Sequence, residues 1–163
     1  MSNEMEMTVA EWRNIFGFTY DAGDVVIKKT KVRVESLTVP SHIGEKRVRT
    51  IDSGALFFGR RDGLDFMSPT EIIVSEGIEE ICSGAFSCVE DADVYIPSTV
   101  TSLPENMFCA SEGVTLHLTA AVTEIADELV MDGFETDIVA IHAPAGSYAE
   151  TYAKENNIPF VAE

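Results

Sequence analysis

Val74-Ser-Glu-Gly-Ile78-Glu-Glu-Ile81-Cys-Ser-Gly-Ala85-Phe86 is followed by Ile96-Pro-Ser-Thr-Val100-Thr-Ser-Leu103-Pro-Glu-Asn-Met107-Phe108, and then by Leu118-Thr-Ala-Ala-Val122-Thr-Glu-Ile125-Ala-Asp-Glu-Leu129-Val130. Five apolar columns, begun by Val74, Ile78, Ile81, Ala85 and Phe86, stay in register at a period of 22 residues. A fixed period of this size is the signature of a solenoid, whose units bury their apolar sides by stacking on one another. Such an architecture more often displays a surface than builds a catalytic pocket.

Each block opens with an alternating segment. Ile72 and Val74, Val94 and Ile96, Leu116 and Leu118, and Val139 and Ile141 are predicted to point inward. Glu71 and Ile73, Asp93 and Tyr95, Thr115 and His117, and Ile138, Ala140 and His142 are predicted to point outward. Period-2 alternation with β-branched residues reads as one strand per repeat, and stacking at a constant period makes these strands parallel. Ile78–Ile81 and its equivalents supply a second short extended edge, while Ala85-Phe86, Met107-Phe108 and Leu129-Val130 enter the core from a one-turn helix or irregular arc.

An earlier, longer repeat runs from Val39 to Leu56 and carries two insertions, around Gly44–Arg47 and around Phe58–Gly63. Insertions in a stacked fold map to edge loops or hairpins. The ends need caps, because a bare end exposes apolar surface and unpaired strand edges. Thr8-Val-Ala-Glu11 has the form of a capping box ahead of Trp12, Ile15 and Phe16, and Phe18–Tyr20 and Val25–Ile27 read as a hairpin across Asp21-Ala-Gly-Asp24. Ser147-Tyr-Ala-Glu150 is a second capping box, before a helix with Tyr148, Ala149, Tyr152 and Ala153 on one stripe.

Three segments carry a family likeness: Ile96-Pro97-Ser98, Val100-Thr101-Ser102-Leu103 and Ser83-Gly84-Ala85-Phe86. With the closing segment Gly146–Phe160, they resemble the leucine-rich repeats of the BspA type over residues 18–163. The expected fold is an α+β solenoid: a short leucine-rich-repeat stack with one parallel strand per ~22-residue repeat. A single domain, 1–163, is expected, with an N-terminal helix and hairpin cap (1–35), repeats (36–142) and a C-terminal helix cap (143–163). The resemblance implies a bacterial surface protein that binds other proteins. The acidic Met1–Met7 segment lacks the basic and apolar regions of a secretory signal, which points instead to the cytoplasm unless a leader has been removed.

The net charge is −17, and it is unevenly distributed. Residues 62–153 contain 18 acidic residues and no Lys or Arg, whereas residues 28–61 contain nine basic residues against three acidic ones. Lys46, Arg47, Arg49, Arg60 and Arg61 form a candidate basic patch in and beside the two insertions. An acidic body repels phosphate backbones and attracts basic partners, so direct nucleic-acid binding is not expected. No apolar run is long enough to span a bilayer. Cys82, Cys88 and Cys109, an odd number without CxxC spacing, read as reduced, buried packing residues.

The chain has no HExxH, GxSxG, P-loop or strand-linked GxGxxG motif, so no enzyme activity and no cofactor are expected. Glu90-Asp91-Ala92-Asp93 lacks the turn glycine of a calcium loop and reads as a solvated acidic turn. His42 stands apart; His117 and His142 fall on adjacent strands, with 117 opposite 140, and read as surface residues rather than metal ligands. The outward column Ile73, Tyr95, His117 and Ala140, flanked by Asp93 and Thr115, is the candidate interaction face, since exposed aromatic and apolar residues on a rigid sheet are typical interface anchors. The expected function is a non-enzymatic protein-protein interaction module. The alternative is an acidic inhibitor or nucleic-acid mimic that occupies a basic groove on a partner. Self-association of the basic first repeat with the acidic body is a third reading.

Overall fold

The computed structural model describes residues 7–131 and 138–163. The Met1–Glu6 part of the leader reading lies outside them. The chain begins with α1 (Val9–Ile15), β1 (Phe16–Asp21) and β2 (Asp24–Thr30). The long first block gives β3 (Ser36–Val39), β4 (His42–Ile43), β5 (Lys46–Ile51) and β6 (Leu56–Phe57). Three regular blocks follow: β7 (Glu71–Val74), β8 (Glu80–Ile81) and β9 (Phe86–Ser87); β10 (Asp93–Tyr95), β11 (Ser102–Leu103) and β12 (Phe108–Cys109); β13 (Val114–His117), β14 (Glu124–Ile125) and β15 (Val130–Met131). The chain closes with β16 (Ile138–Ala143), α2 (Tyr148–Glu155) and β17 (Phe160–Ala162).

This is an α/β fold of mostly parallel strands with two short helices. A six-stranded sheet runs β17-β16-β13-β10-β7-β3, and a four-stranded sheet runs β15-β12-β9-β6. Successive partners in the regular blocks are 22 residues apart: Ile72 pairs with Val94 and Val94 with Leu116, Phe86 with Phe108 and Phe108 with Val130, and Leu103 with Ile125. Each regular block therefore contributes three short strands, not one. Phe86, Phe108 and Val130 each open a two-residue parallel strand rather than lying in a helical turn or an irregular arc. A polar ladder at the same spacing joins the turns: the Gly77 N–H donates to Thr99 Oγ1 (3.1 Å), and the Val89 N–H donates to the buried Ser111 Oγ (3.1 Å).

The core is one continuous apolar cluster from Trp12 to Ala153. Its columns are the ones read from the sequence: Ile78, Val100 and Val122 are fully buried, as are Ala85 and Met107 and the paired Phe86 and Phe108. Burying each such large side chain contributes roughly 1.5–3 kcal/mol relative to leaving it in water. One inward assignment fails. Val139 is 39% exposed, while Ile138 packs against the core. Val114 pairs with Ile138 but Thr115 with Ala140, and this bulge reverses the alternation by one residue.

Both caps form. Thr8 and Glu11 make a reciprocal capping box at α1, with the Thr8 N–H donating to Glu11 Oε2 (2.6 Å) and the Glu11 N–H to Thr8 Oγ1 (3.2 Å). At α2 only half of the box is present: the Glu150 N–H donates to Ser147 Oγ (3.4 Å), but the Glu150 carboxylate accepts from Gly146 N–H (2.6 Å). Tyr148 is exposed, so the buried stripe is Ala149, Tyr152 and Ala153. The β1–β2 hairpin turns through Ala22 and Gly23, both at positive φ. The first insertion is the antiparallel β4–β5 hairpin, and the second is held by a bridge between Arg61 and Leu64. The three cysteines are free and only partly buried, which corrects their assignment as buried packing residues.

Candidate interaction face

The six-stranded sheet turns alternate residues outward in two columns. One runs Thr38, Ile73, Tyr95, His117, His142 and Val161; the other runs Ser36, Glu71, Asp93, Thr115 and Ala140. Ile73, Tyr95 and His117 thus share a column as expected. Ala140 does not: it lies opposite Thr115, and the residue opposite His117 is His142. The expected pairing is thus displaced by two residues: one is already present at Val114–Ile138, and the bulge at Val114/Thr115 adds the other.

Tyr95 is 36% exposed and its ring stacks on His117, with centroids 4.1 Å apart and planes 13° apart. The His117 and His142 rings follow at 4.6 Å. Their side chains are 12% and 24% exposed. His117 Nε2 lies 2.7 Å from Asp93 Oδ1, while His117 Nδ1 lies 3.5 Å and His142 Nδ1 2.8 Å from the Glu163 carboxylate. Glu163 is placed by the β16–β17 pairing and by its own N–H, which donates to the Ala143 carbonyl (3.0 Å). The hydrogen bond to His142 holds the Glu163 carboxyl below its ordinary value. Desolvation, and then the neighbouring Asp93, Glu71 and Glu163 carboxylates, push the Tyr95 hydroxyl up. Sequence reasoning missed Glu163. Its only signal was position after an apolar Phe160–Ala162 run that pairs beside His142.

The expected basic patch is divided, and its four arginines are internally paired. Arg47 binds Asp24 through two hydrogen bonds (both 3.1 Å) and reaches Glu79 at 2.9 Å, and Arg49 reaches the same Glu79 at 3.2 Å. Lys46 lies at the start of the same strand, β5. Arg60 pairs with Asp65 (3.4 Å) and Arg61 with Asp62 (3.7 Å), on the second insertion. Lys28 pairs with Asp52 and Lys29 with Asp62. The paired cations meet carboxylates of their own chain before they meet a partner; Lys46 has no ion pair among the described residues. A hollow of about 250 Å³ lined by Lys29, Thr30, Lys31, Asp62 and Leu64 lies beside them, away from the outward columns. Among the described residues no helix is long and apolar enough to cross a membrane.

The pairings predict acid sensitivity. Hydrogen bonds from Arg47, Lys28 and Lys29 hold the Asp24, Asp52 and Asp62 carboxyls below their ordinary value of 3.8. A depressed folded value contributes stability that is present above the unfolded value and lost as pH falls through the folded one. The thermal midpoint is therefore expected to fall on acidification below about pH 4, less steeply in Arg47→Gln and in high salt, because these pairs are exposed. An acid limb of unchanged slope in Arg47→Gln would count against the pairing.

No protein-family model and no curated protein matches the chain. Among solved structures, the chain is similar to the crystal structure of the pneumococcal vaccine antigen PcpA, at 11% identity and a TM-score of 0.41. The match covers 82% of this chain and 49% of that one, so the chain spans about half the length of that structure.

Proposed function

We propose that the chain is a leucine-rich-repeat solenoid of BspA type that binds another protein through the outward face of its six-stranded sheet and carries no catalytic activity. The observation that carries this reading is the stacked Tyr95–His117 pair, with Tyr95 partly exposed, on a hydrogen-bonded sheet between Ile73 and His142. Aromatic side chains fixed on a rigid frame lose little entropy on binding and are common hot spots. The 22-residue pairing register and the family-like segments support the repeat assignment.

Tyr95→Ala tests it. The variant is expected to keep its thermal midpoint within about 2–4 °C of the parent, as suits a surface change of up to about 1 kcal/mol in a chain of this size. In a pull-down from source cells, a protein retained by the parent is expected to be lost or reduced about tenfold or more with Tyr95→Ala as bait. Equal retention by both baits would defeat the assignment of the face.

A second reading is favoured by the internal pairing of the cations. With Arg47, Arg49, Arg60 and Arg61 engaged by carboxylates, the cation-free stretch 62–153 stands as an acidic surface suited to a basic groove. Binding to a basic partner that collapses between low and high salt supports this reading; salt-insensitive binding favours the first.

A further inference from the structure

We propose that His117, His142 and Glu163 form a binding site for a divalent transition metal of the zinc type. Each residue offers one ligand atom, and the three atoms lie within 4.8 Å of one another. The geometry is specific about which atoms converge. The Nδ1 atoms of both histidines lie beside the Glu163 carboxylate, at 3.5 and 2.8 Å. Tetrahedral ligands bound at about 2.0–2.1 Å sit about 3.3–3.5 Å apart, so small side-chain rotations suffice to close the set around an ion.

His117 carries the second mark of a metal ligand. Its Nε2 is 2.7 Å from Asp93 Oδ1. A carboxylate accepting from the far nitrogen keeps the proton on Nε2 and leaves the Nδ1 lone pair for the metal, and it also raises the basicity of the ring. The Tyr95 ring, stacked at 4.1 Å, fixes the His117 plane from the other side. The frame is rigid, since His117 and His142 are directly paired on parallel strands and the Glu163 N–H is tied to Ala143.

The donor set selects the metal. Two imidazoles and one carboxylate suit zinc, copper or nickel and do not suit calcium or magnesium, which take oxygen ligands. Glu163 and Asp93 bring two negative charges to two neutral imidazoles, which balances a divalent ion in a chain of net charge −17. Three protein ligands leave a fourth position for water or for a group from a partner. This inference goes beyond the interaction reading and does not depend on it, because the chain is tested alone.

The experiment titrates tag-free, metal-stripped protein with zinc chloride by calorimetry at pH 7.5, after alkylation of the three cysteines. One saturable equivalent is expected. His142→Ala and Glu163→Gln are each expected to weaken binding about tenfold or more, and Asp93→Asn about 10–100-fold through the outer carboxylate. His42→Ala leaves binding unchanged. Affinity is expected to fall on acidification, because metal binding requires deprotonated ligands. In a proton–carbon spectrum the ring signals of His117 and His142 shift on zinc addition and that of His42 does not. The far-ultraviolet circular dichroism of each variant is expected to match the parent, and the ring shifts of the unmutated protein test the site where a variant fails to fold. Absence of saturable binding, binding retained in both His142→Ala and Glu163→Gln, or a ring shift confined to His42 overturns the proposal.

Discussion

Phe86→Ala is expected to destabilise the fold by about 3–5 kcal/mol. Phe86 is fully buried in β9, paired with Leu56 on one side and Phe108 on the other. Its ring lies 5.0 Å from that of Phe108, tilted by 32°. Truncation removes the ring's transfer free energy and leaves a cavity between two stacked units. The walls have little freedom to collapse, because the strands on both sides are held in parallel ladders through the Leu56–Phe86, Phe57–Ser87, Phe86–Phe108 and Ser87–Cys109 pairings. A loss of this size is a large share of the roughly 5–15 kcal/mol that stabilises a typical domain. Urea unfolding provides the measurement: the midpoint is expected to drop sharply with little change in slope. Phe66, 45% exposed, provides the contrast, and Phe66→Ala is expected to change stability by no more than about 0.5 kcal/mol. Equal effects at the two positions would show that the 22-residue register is misplaced.

Gly113→Ala is expected to cost about 2–4 kcal/mol, whereas Gly54→Ala costs only about 1–2 kcal/mol. The two glycines share nearly the same left-handed backbone, φ +67° and +70°, so the intrinsic penalty for a Cβ is the same at both. Their surroundings differ. At Gly54 a Cβ meets nothing within 4 Å, but at Gly113 it meets the Asp91 backbone nitrogen at 3.0 Å and Cα at 3.2 Å. That backbone has little room to retreat. The Asp91 N–H donates to the Glu112 carbonyl (3.1 Å) and the Glu112 N–H to the Val89 carbonyl (2.9 Å), which locks the two stacked turns together. The difference between the two variants, read from denaturant midpoints, isolates the cost of crowding one turn against the next. No difference would mean that these turns are not in contact.

How much was legible in the sequence depended on how local the determinant was. The columns Ile78–Val100–Val122 and Phe86–Phe108–Val130 were readable, because a constant period places equivalent side chains at equivalent heights and burial follows from stacking. The hairpin at Gly44–Arg47 was readable as an excess over the period, and the α1 cap as a Thr–Glu spacing. The two-residue strands at Phe86 and Phe108 were not, since two residues carry no periodicity of their own and become strands only when a neighbour offers its carbonyls.

The outward face shows the same division more sharply. Sequence alternation placed Ile73, Tyr95 and His117 in one column, because the spacing between those strands is uniform. It put Ala140 next, but strand pairing starts one residue further on, at Val114–Ile138, and a bulge adds a second residue, so His142 takes that place. Likewise, the count of charges between residues 28 and 61 suggested an open basic patch, but Arg47 is neutralised by Asp24 and Glu79 from outside that count or from the next repeat. By itself, then, the sequence determined the repeat, its core columns and its charge imbalance, all of which depend on spacing along the chain. Only the tertiary structure decided that Asp93, His117, His142 and Glu163 meet, because their separations of 24, 21 and 46 residues are closed by strand pairing rather than by the repeat alone.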